Sequence, residues 1–410
     1  MLVINSLNGQ QNSDWQTAVI LPIFILIIAF FSPVFAFALA LLALIIKTCE
    51  IKSTERKLLG YIIVLTGAII VSSREFGSSS DDLSVYYYPS YLEIASGNFS
   101  NFFRWGWGLE IGINIINIIL AFALPKLTEP GYAFVIGSIS GIIFVNIVEN
   151  YLIQDSSPRK KAMAAAVIYA MYSSYFSTQL VRQFLSSLFL IVALFECRRT
   201  LSYLAIFAGS LFHLSILPIY VFFRITGLIK LNKLYLIVLL IIGTYYIKES
   251  FGQILLFLDG VFPDGRFTAY SGTLSLTSAS DSNLSIIKYL MVGLLSIIGT
   301  VFFGHKTLTD RHIAWVVRYL FVISLYIILI DYWLFPLRAS LLVHGLMLGW
   351  FLVMIFRVLS LRISMVISIL TSMFIVKTKI FLNPESVNAL WYQFELASVN
   401  PGYYLQLYFN

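Results

Sequence analysis

Guanidinium groups, a few carboxylates, one histidine and a set of aromatic rings are the side chains here that could do chemistry together. Arg74, Asp81, Asp82 and the tyrosine run from Tyr86 through Tyr87 to Tyr91 share one polar stretch, followed by Phe102, Phe103, Arg104, Trp105 and Trp107. A guanidinium presents a planar fork of donors that fits phosphate, and it also stacks on aromatic faces. A carboxylate can take the proton of a hydroxyl. The aromatics equally suit an interfacial belt with solvated charges. Arg182 opens an apolar run in STQLVRQFLSSLF, with Gln183 beside it. An arginine near the bilayer centre costs about 2.5–3.5 kcal/mol, so Arg182 either snorkels to the interface or holds an anion. His213 lies deep in another run, shortly before the helix-breaking Pro218. An intramembrane histidine can carry a proton or donate to a substrate, or be satisfied by a neighbouring helix. Glu110 fits a base or a carboxylate favoured at a helix start. Arg266, between Asp264 and Tyr270, is a further anion-binding candidate or a solvated loop charge, whereas Asp331 and Arg338 read as a mutual ion pair. His305, His312 and His344 read as structural or solvated.

The elements that must position these groups are apolar helices. Only 11% of the 410 residues are charged, 59% are hydrophobic, and the mean hydropathy is +0.87. Soluble domains carry about 25% charged residues, so the composition argues against a water-soluble enzyme. With about 20 apolar residues needed per crossing, the runs from Thr17–Ile46 to Val358–Val376 make about twelve spans. The expected fold is therefore an all-α, polytopic integral membrane protein. Residues 1–376 form a single transmembrane helical domain, and 377–410 a polar and aromatic tail on the outer face. The first run is read as an uncleaved span, tilted or kinked at Ser32-Pro33. Several other runs are short and flank polar residues, as broken helices lining a cavity do. Segments 73–108 and 249–284 read as two long, non-helical outer-face loops.

Lys plus Arg is 27 and Asp plus Glu is 20, an excess of 27 − 20 = 7 positive charges spread thinly between the runs. That pattern is loop charge of the positive-inside kind, and no nucleic acid is expected as a partner. Taking the basic loop Lys47–Lys57 as cytoplasmic puts the three polar segments outside. The same count puts Arg159-Lys160-Lys161 and Arg198-Arg199 outside and Arg182 inside, against the rule. Inverting the hairpin Ala162–Phe195 repairs all three, and it requires a stretch in Leu109–Ile153 and another in Leu201–Phe223 to cross an unexpected number of times, for example by dipping in and returning. Two cysteines, Cys49 and Cys197, offer neither a disulfide framework nor a zinc site, and no metal site is expected. A P-loop, a dinucleotide glycine fingerprint, HExxH and G-x-S-x-G are all lacking, which disfavours ATP-driven pumping and cytosolic sugar-nucleotide chemistry.

Read in order, Arg74 with Asp81-Asp82 and Tyr86 or Tyr87, Gly106-Trp107-Gly108-x-Glu110, Arg182-Gln183, Phe212-His213-x-Ser215 and Arg266-Phe267-x-x-Tyr270 resemble the EpsG-like branch of the Wzy-type O-antigen and capsule polymerases. The resemblance spans most of the chain, with Arg-Gln and Phe-His-x-Ser its more specific pieces. The spacing between Arg74 and the aspartates is wider than in that family, so both aspartates stay candidates. The resemblance implies a multi-pass glycosyltransferase of the bacterial inner membrane, active toward the periplasm and free of cofactors. Its partners would be undecaprenyl-pyrophosphate-linked oligosaccharides, membrane lipid and a chain-length-regulating co-polymerase. Arg182, Arg266, Arg74 and Gln183 would bind the pyrophosphate. Asp82, Asp81 or His213 would be the base, and Tyr86, Tyr87, Trp105, Trp107, Glu110 and Tyr270 would contact sugars. A lipid-linked oligosaccharide flippase and a membrane O-acyltransferase are the alternatives.

Overall fold

The computed structural model describes residues 19–47, 51–72, 74, 76–77, 81–228, 276–304, 308–329 and 340–376, together with scattered positions between 242 and 260. Every regular element among them is helical. In chain order these are α1 (Val19–Ala29), α2 (Pro33–Ile46), α3 (Ser53–Ser72), α4 (Tyr88–Ala95), α5 (Gly112–Ala123), α6 (Glu129–Ile147), α7 (Lys161–Met171) and α8 (Ser174–Gln179). They continue as α9 (Val181–Phe195), α10 (Arg199–Phe212), α11 (Ile216–Leu228), α12 (Leu276–Gly304), α13 (Asp310–Ile328), α14 (Leu348–Met354) and α15 (Leu361–Val376). Two helices are long and apolar enough to cross a membrane: α6 with the π-helical turn that extends it, Glu129–Leu152, and α13. Eight more are apolar but shorter, so the described residues carry two full-length candidates where the hydropathy of the sequence suggests about twelve.

The chain forms two compact units, one drawn from Met1–Ile216 and Leu359–Asn410, the other from Leu217–Val358. The sequence reads as one continuous helical domain to residue 376. In the first unit, the break expected at Ser32-Pro33 separates α1 from α2. Ser32 accepts the Phe35 N–H at 3.2 Å and Pro33 takes the first helical position, where its missing N–H costs nothing. The heart of this unit is α7, in which every residue from Ala162 to Met171 is buried. Its alanines leave room for α2, α3 and α15 to lie against it. Beside it, α6 lies close along α3. Gly137 and Gly141, a Gly-x-x-x-Gly pair on one face, meet Ala68 and Val64, and a Cβ at Gly141 would stand 2.7 Å from the Val64 Cβ.

At the start of α3, Arg56 grips Glu149 with two hydrogen bonds of 2.8 and 2.7 Å, both side chains buried. Just past its other end, Arg74 grips Asp81. By helical rise, the 20 residues of α3 separate these pairs by about 30 Å. The hairpin can be oriented against that frame. Thr178, four residues before Arg182, accepts from Arg74, while Tyr151 donates to Glu196, just past the far end of α9. Arg182 thus lies at the Arg74 end and Arg198 at the Arg56 end, the relation that the inverted hairpin requires. Within Leu109–Ile153 the chain turns back after α5. That helix begins beside Glu110, and by Leu127 the chain is back against Tyr88 and Tyr91.

Segment 73–108, expected to be non-helical, is helical from Leu83 to Ala95 and again in the 3-10 turn Gly106–Gly108. A π-helical turn, Leu83–Tyr87, runs directly into α4. Pro89 stands in the first turn of α4, where proline is favoured, and Tyr87, Tyr91 and Ile94 turn inward at helical spacing. Tyr87 and Tyr91 of the aromatic run are therefore buried, while Tyr86 is exposed. Tyr91 stacks on Tyr132 (5.2 Å between centroids), whose hydroxyl donates to Asn117 at 2.8 Å. Ser90 donates to Asn114 at 3.0 Å. These contacts fix α4 against α5 and α6. The second expected loop, 249–284, is helical from Leu276 onward, as the start of α12.

In the second unit, α12 packs on α14 and the π-helical turn Leu342–Met347 before it. Trp315, Tyr319 and Phe351 are buried there. The Tyr319 ring lies 4.4 Å from that of Phe351, and its hydroxyl donates to the Leu290 carbonyl.

Candidate active site

Two polar clusters meet at the Arg74 end of the first unit. In one, the Arg74 guanidinium holds both oxygens of Asp81 (Nε–Oδ2 3.1 Å, Nη2–Oδ2 2.9 Å, Nη2–Oδ1 3.2 Å) and donates from Nη1 to the Thr178 hydroxyl at 2.5 Å. Asp81 Oδ1 also accepts the Leu83 N–H at 3.1 Å, which anchors the π-helical turn. Phe76 and Tyr175 cover the guanidinium, and both charged side chains are almost wholly out of solvent.

Glu110 is the hub of the other cluster. One carboxylate oxygen accepts from Arg182 Nη1. The other accepts from His213 Nδ1 and from the Leu214 N–H, each at 2.8 Å. The three side chains come from positions 72 and 103 residues apart, and each is set by a break in helix. Glu110 follows the 3-10 turn Gly106–Gly108, whose Gly106 has φ +55°, a conformation open to glycine. A Cβ on Gly106 would collide with the Glu110 side chain. Arg182 stands in the first turn of α9, after the interruption at Leu180 that parts α8 from α9. His213 is the residue at which α10 ends, in extended backbone.

The guanidinium of Arg182 lies over Trp105 (4.8 Å to the ring centroid) and near Tyr87 (5.9 Å), so an aromatic corner backs it. Its Nε is buried with no hydrogen-bond partner. Side-chain exposure rises from 2% at Glu110 to 16% at Arg182 and 21% at His213, so the cluster opens on the His213 side. Burial pushes the Glu110 carboxyl up. The hydrogen bond and charge of His213, the Arg182 guanidinium and the Leu214 N–H together outweigh this and hold it below its ordinary value. An ionised carboxylate only accepts, so Nδ1 of His213 carries the proton. In the neutral ring Nε2 is then a bare lone pair able to take one. The two clusters are joined by two short segments, 81–87 and 178–182.

The structure redistributes the roles read from sequence. Arg74 and Asp81 are committed to each other in a buried pair. In this arrangement neither the anion grip assigned to Arg74 nor the base role assigned to Asp81 is available, because both lack access to solvent. Asp82 is half-buried at the head of the π-helical turn. Tyr87 and Trp105, expected to stack sugars, are buried against each other (6.0 Å) and against Arg182. Tyr86 is exposed, with Arg104 over its ring at 5.8 Å. Glu110 ties Arg182 to His213, a bridging role beyond the sugar contact or lone base expected of it. Gln183 follows Arg182 on α9 and is half-buried. The backbone of Trp107 lies in the 3-10 turn. Arg266, Tyr270, Asp331, Arg338 and His305 lie outside the described residues.

No protein-family model matches the chain, and no curated protein and no solved structure matches it.

Proposed function

We propose that the protein polymerises lipid-linked oligosaccharide repeat units in the bacterial inner membrane, as a multi-pass glycosyltransferase with the Glu110 cluster facing the periplasm. It would transfer the growing glycan from undecaprenyl pyrophosphate to the non-reducing end of a second lipid-linked unit, without metal or nucleotide. One observation carries this reading: three short motifs distant in sequence, Trp-Gly-x-Glu, Arg-Gln and Phe-His-x-Ser, meet at the Glu110 carboxylate.

The chemistry suits that arrangement. His213 Nε2 takes the proton from the acceptor hydroxyl, and the freed oxygen attacks the anomeric carbon of the donor sugar. The bond from that carbon to the pyrophosphate oxygen breaks, and the lipid pyrophosphate leaves with the electron pair. Arg182 stabilises the charge that develops there, a contribution fixed donors make best in a water-poor site. Glu110 stays ionised, holds the imidazole in the required tautomer and offsets its charge once protonated, as the aspartate of a Ser-His-Asp triad does. Tyr86 offers an exposed ring face for a sugar.

Reconstitution separates the alternatives. Purified protein in proteoliposomes, given undecaprenyl-pyrophosphate-linked repeat units alone, should lengthen the glycan into a ladder. Movement of the lipid between leaflets without lengthening would mark a flippase. Acyl transfer from an added acyl donor without lengthening would mark an O-acyltransferase.

A further inference from the structure

A second pair of side chains lies one residue along from the ring pair that backs Arg182. Tyr87 and Trp105 stand 6.0 Å apart, both buried, with the Arg182 guanidinium over them. Their chain neighbours Tyr86 and Arg104 also meet, with the Arg104 guanidinium 5.8 Å from the Tyr86 ring centroid. This outer pair is open to solvent: Tyr86 is 42% exposed, and Arg104 is exposed as well. Consecutive α-carbons are about 3.8 Å apart, so the outer pair adjoins the aromatic corner of the Glu110 cluster.

The backbone fixes both partners. Tyr86 belongs to the π-helical turn that Asp81 anchors through the Leu83 N–H at 3.1 Å. Arg104 ends a stretch folded around Glu93, whose carbonyl accepts the Asn98 N–H at 3.0 Å and whose carboxylate accepts the Asn101 side-chain amide at 2.9 Å. Asn114 donates to the Phe102 carbonyl at 2.5 Å and ties that stretch to α5. Glu93 thus shapes the loop through an amide. Arg56, Arg74 and Arg182 each hold a carboxylate, whereas among the described residues Arg104 has no ion-pair partner and its guanidinium rests on a ring.

We propose that Tyr86 and Arg104 form a subsite for a carboxylate-bearing sugar, so that the repeat unit handled at the Glu110 cluster contains a residue of the uronic acid class. The identity of the substrate as a glycan rests on the polymerase reading, and its charge rests on the Tyr86–Arg104 pair. A uronic acid combines an apolar pyranose face with a planar anion at the ring edge. The phenol ring suits the first, and the guanidinium fork suits the second with two parallel charge-assisted hydrogen bonds.

The test reads binding rather than turnover. Full-length protein in phosphatidylcholine nanodiscs is titrated calorimetrically with a lipid-free tetrasaccharide of alternating glucuronic acid and glucose. A parallel titration uses the same tetrasaccharide with its carboxyls reduced to alcohols. Wild type should bind the acidic form about tenfold more tightly, as a charge-assisted bidentate contact allows. Arg104→Gln should weaken the acidic form alone, so that the two bind alike, and Tyr86→Ala should weaken both. Lys126→Gln removes an exposed charge beside Leu127, at the same end of the first unit, and should leave the preference intact. Equal binding of the two forms by wild type, a preference that survives in Arg104→Gln, or one that Lys126→Gln abolishes equally would overturn the proposal. A glycan ladder that never forms while the Arg104-dependent preference holds would remove the polymerase reading and leave the acidic-sugar subsite.

Discussion

The reactivity of the cluster turns on which charge Glu110 carries. Its oxygens are divided between a guanidinium and an imidazole, so a neutral isostere should release both partners. Glu110→Gln is expected to reduce glycan polymerisation at least a hundredfold while membrane abundance stays normal, measured by ladder formation against protein level. Arg182→Lys keeps the charge but loses the fork that holds Glu110 and that the proposed reaction would also turn to phosphate, and the expected loss is about tenfold or more. The pH dependence has a defined sign. The folded-state pKa of Glu110 is depressed, so its ionised form stabilises the fold above the ordinary carboxylate range. That contribution is lost as pH falls through the depressed value. Thermal midpoints of wild type should fall across that acid window, and those of Glu110→Gln should fall less. Equal slopes for the two would show that the carboxylate does not hold the cluster together.

At the scale of elements, two close approaches govern where these groups sit. Gly106 lets Glu110 fold back beneath the 3-10 turn, and Gly106→Ala should displace the carboxylate and reproduce the activity loss of Glu110→Gln. Gly141 lets α6 lie against Val64 of α3. Overpacking of this kind costs about 1–3 kcal/mol, so Gly141→Ala should lower the unfolding midpoint in detergent. Val64→Ala in the same chain should restore part of it, and a lack of coupling between the two sites would refute the contact. Some of this was legible in sequence and some was not. The Ser32-Pro33 break and the interruption before Arg182 follow local rules of helix capping and polar punctuation, which a sequence displays. The pairing of Arg74 with Asp81 and that of Arg56 with Glu149 do not, since a charge run looks the same whether it is solvated or buried. The tyrosines 86–91 look like a membrane-interface belt because aromatic content alone cannot distinguish a buried face from an exposed one. The bridging role of Glu110 emerges only when residues 72 and 103 positions away are brought to it.

Across the whole molecule, the buried charges of the first unit gather at the two ends of a helix about 30 Å long, close to the thickness of a hydrocarbon core. If the Glu110 end faces the periplasm, Tyr86 should lie outside and Cys197 inside. In a chain without native cysteines, Tyr86→Cys should react with a membrane-impermeant thiol reagent on intact spheroplasts. Cys197, retained alone in a Cys49→Ala background, should react only after permeabilisation. The reverse pattern would invert the orientation and remove the periplasmic assignment. The overall helical class was legible from composition, because 11% charge leaves few alternatives. The number of crossings was less so. Hydropathy registers apolarity, and α5 is apolar but only 12 residues long, with the chain after it returning to Tyr88 and Tyr91.

The most direct measurement is the glycan ladder made by purified wild type, Glu110→Gln, His213→Gln and the double variant in the same proteoliposomes. Residues that act as one unit give non-additive losses. The account predicts a long ladder from wild type, little or none from either single variant, and a double variant no worse than the weaker single. A normal ladder from His213→Gln, or losses that multiply in the double variant, would contradict it.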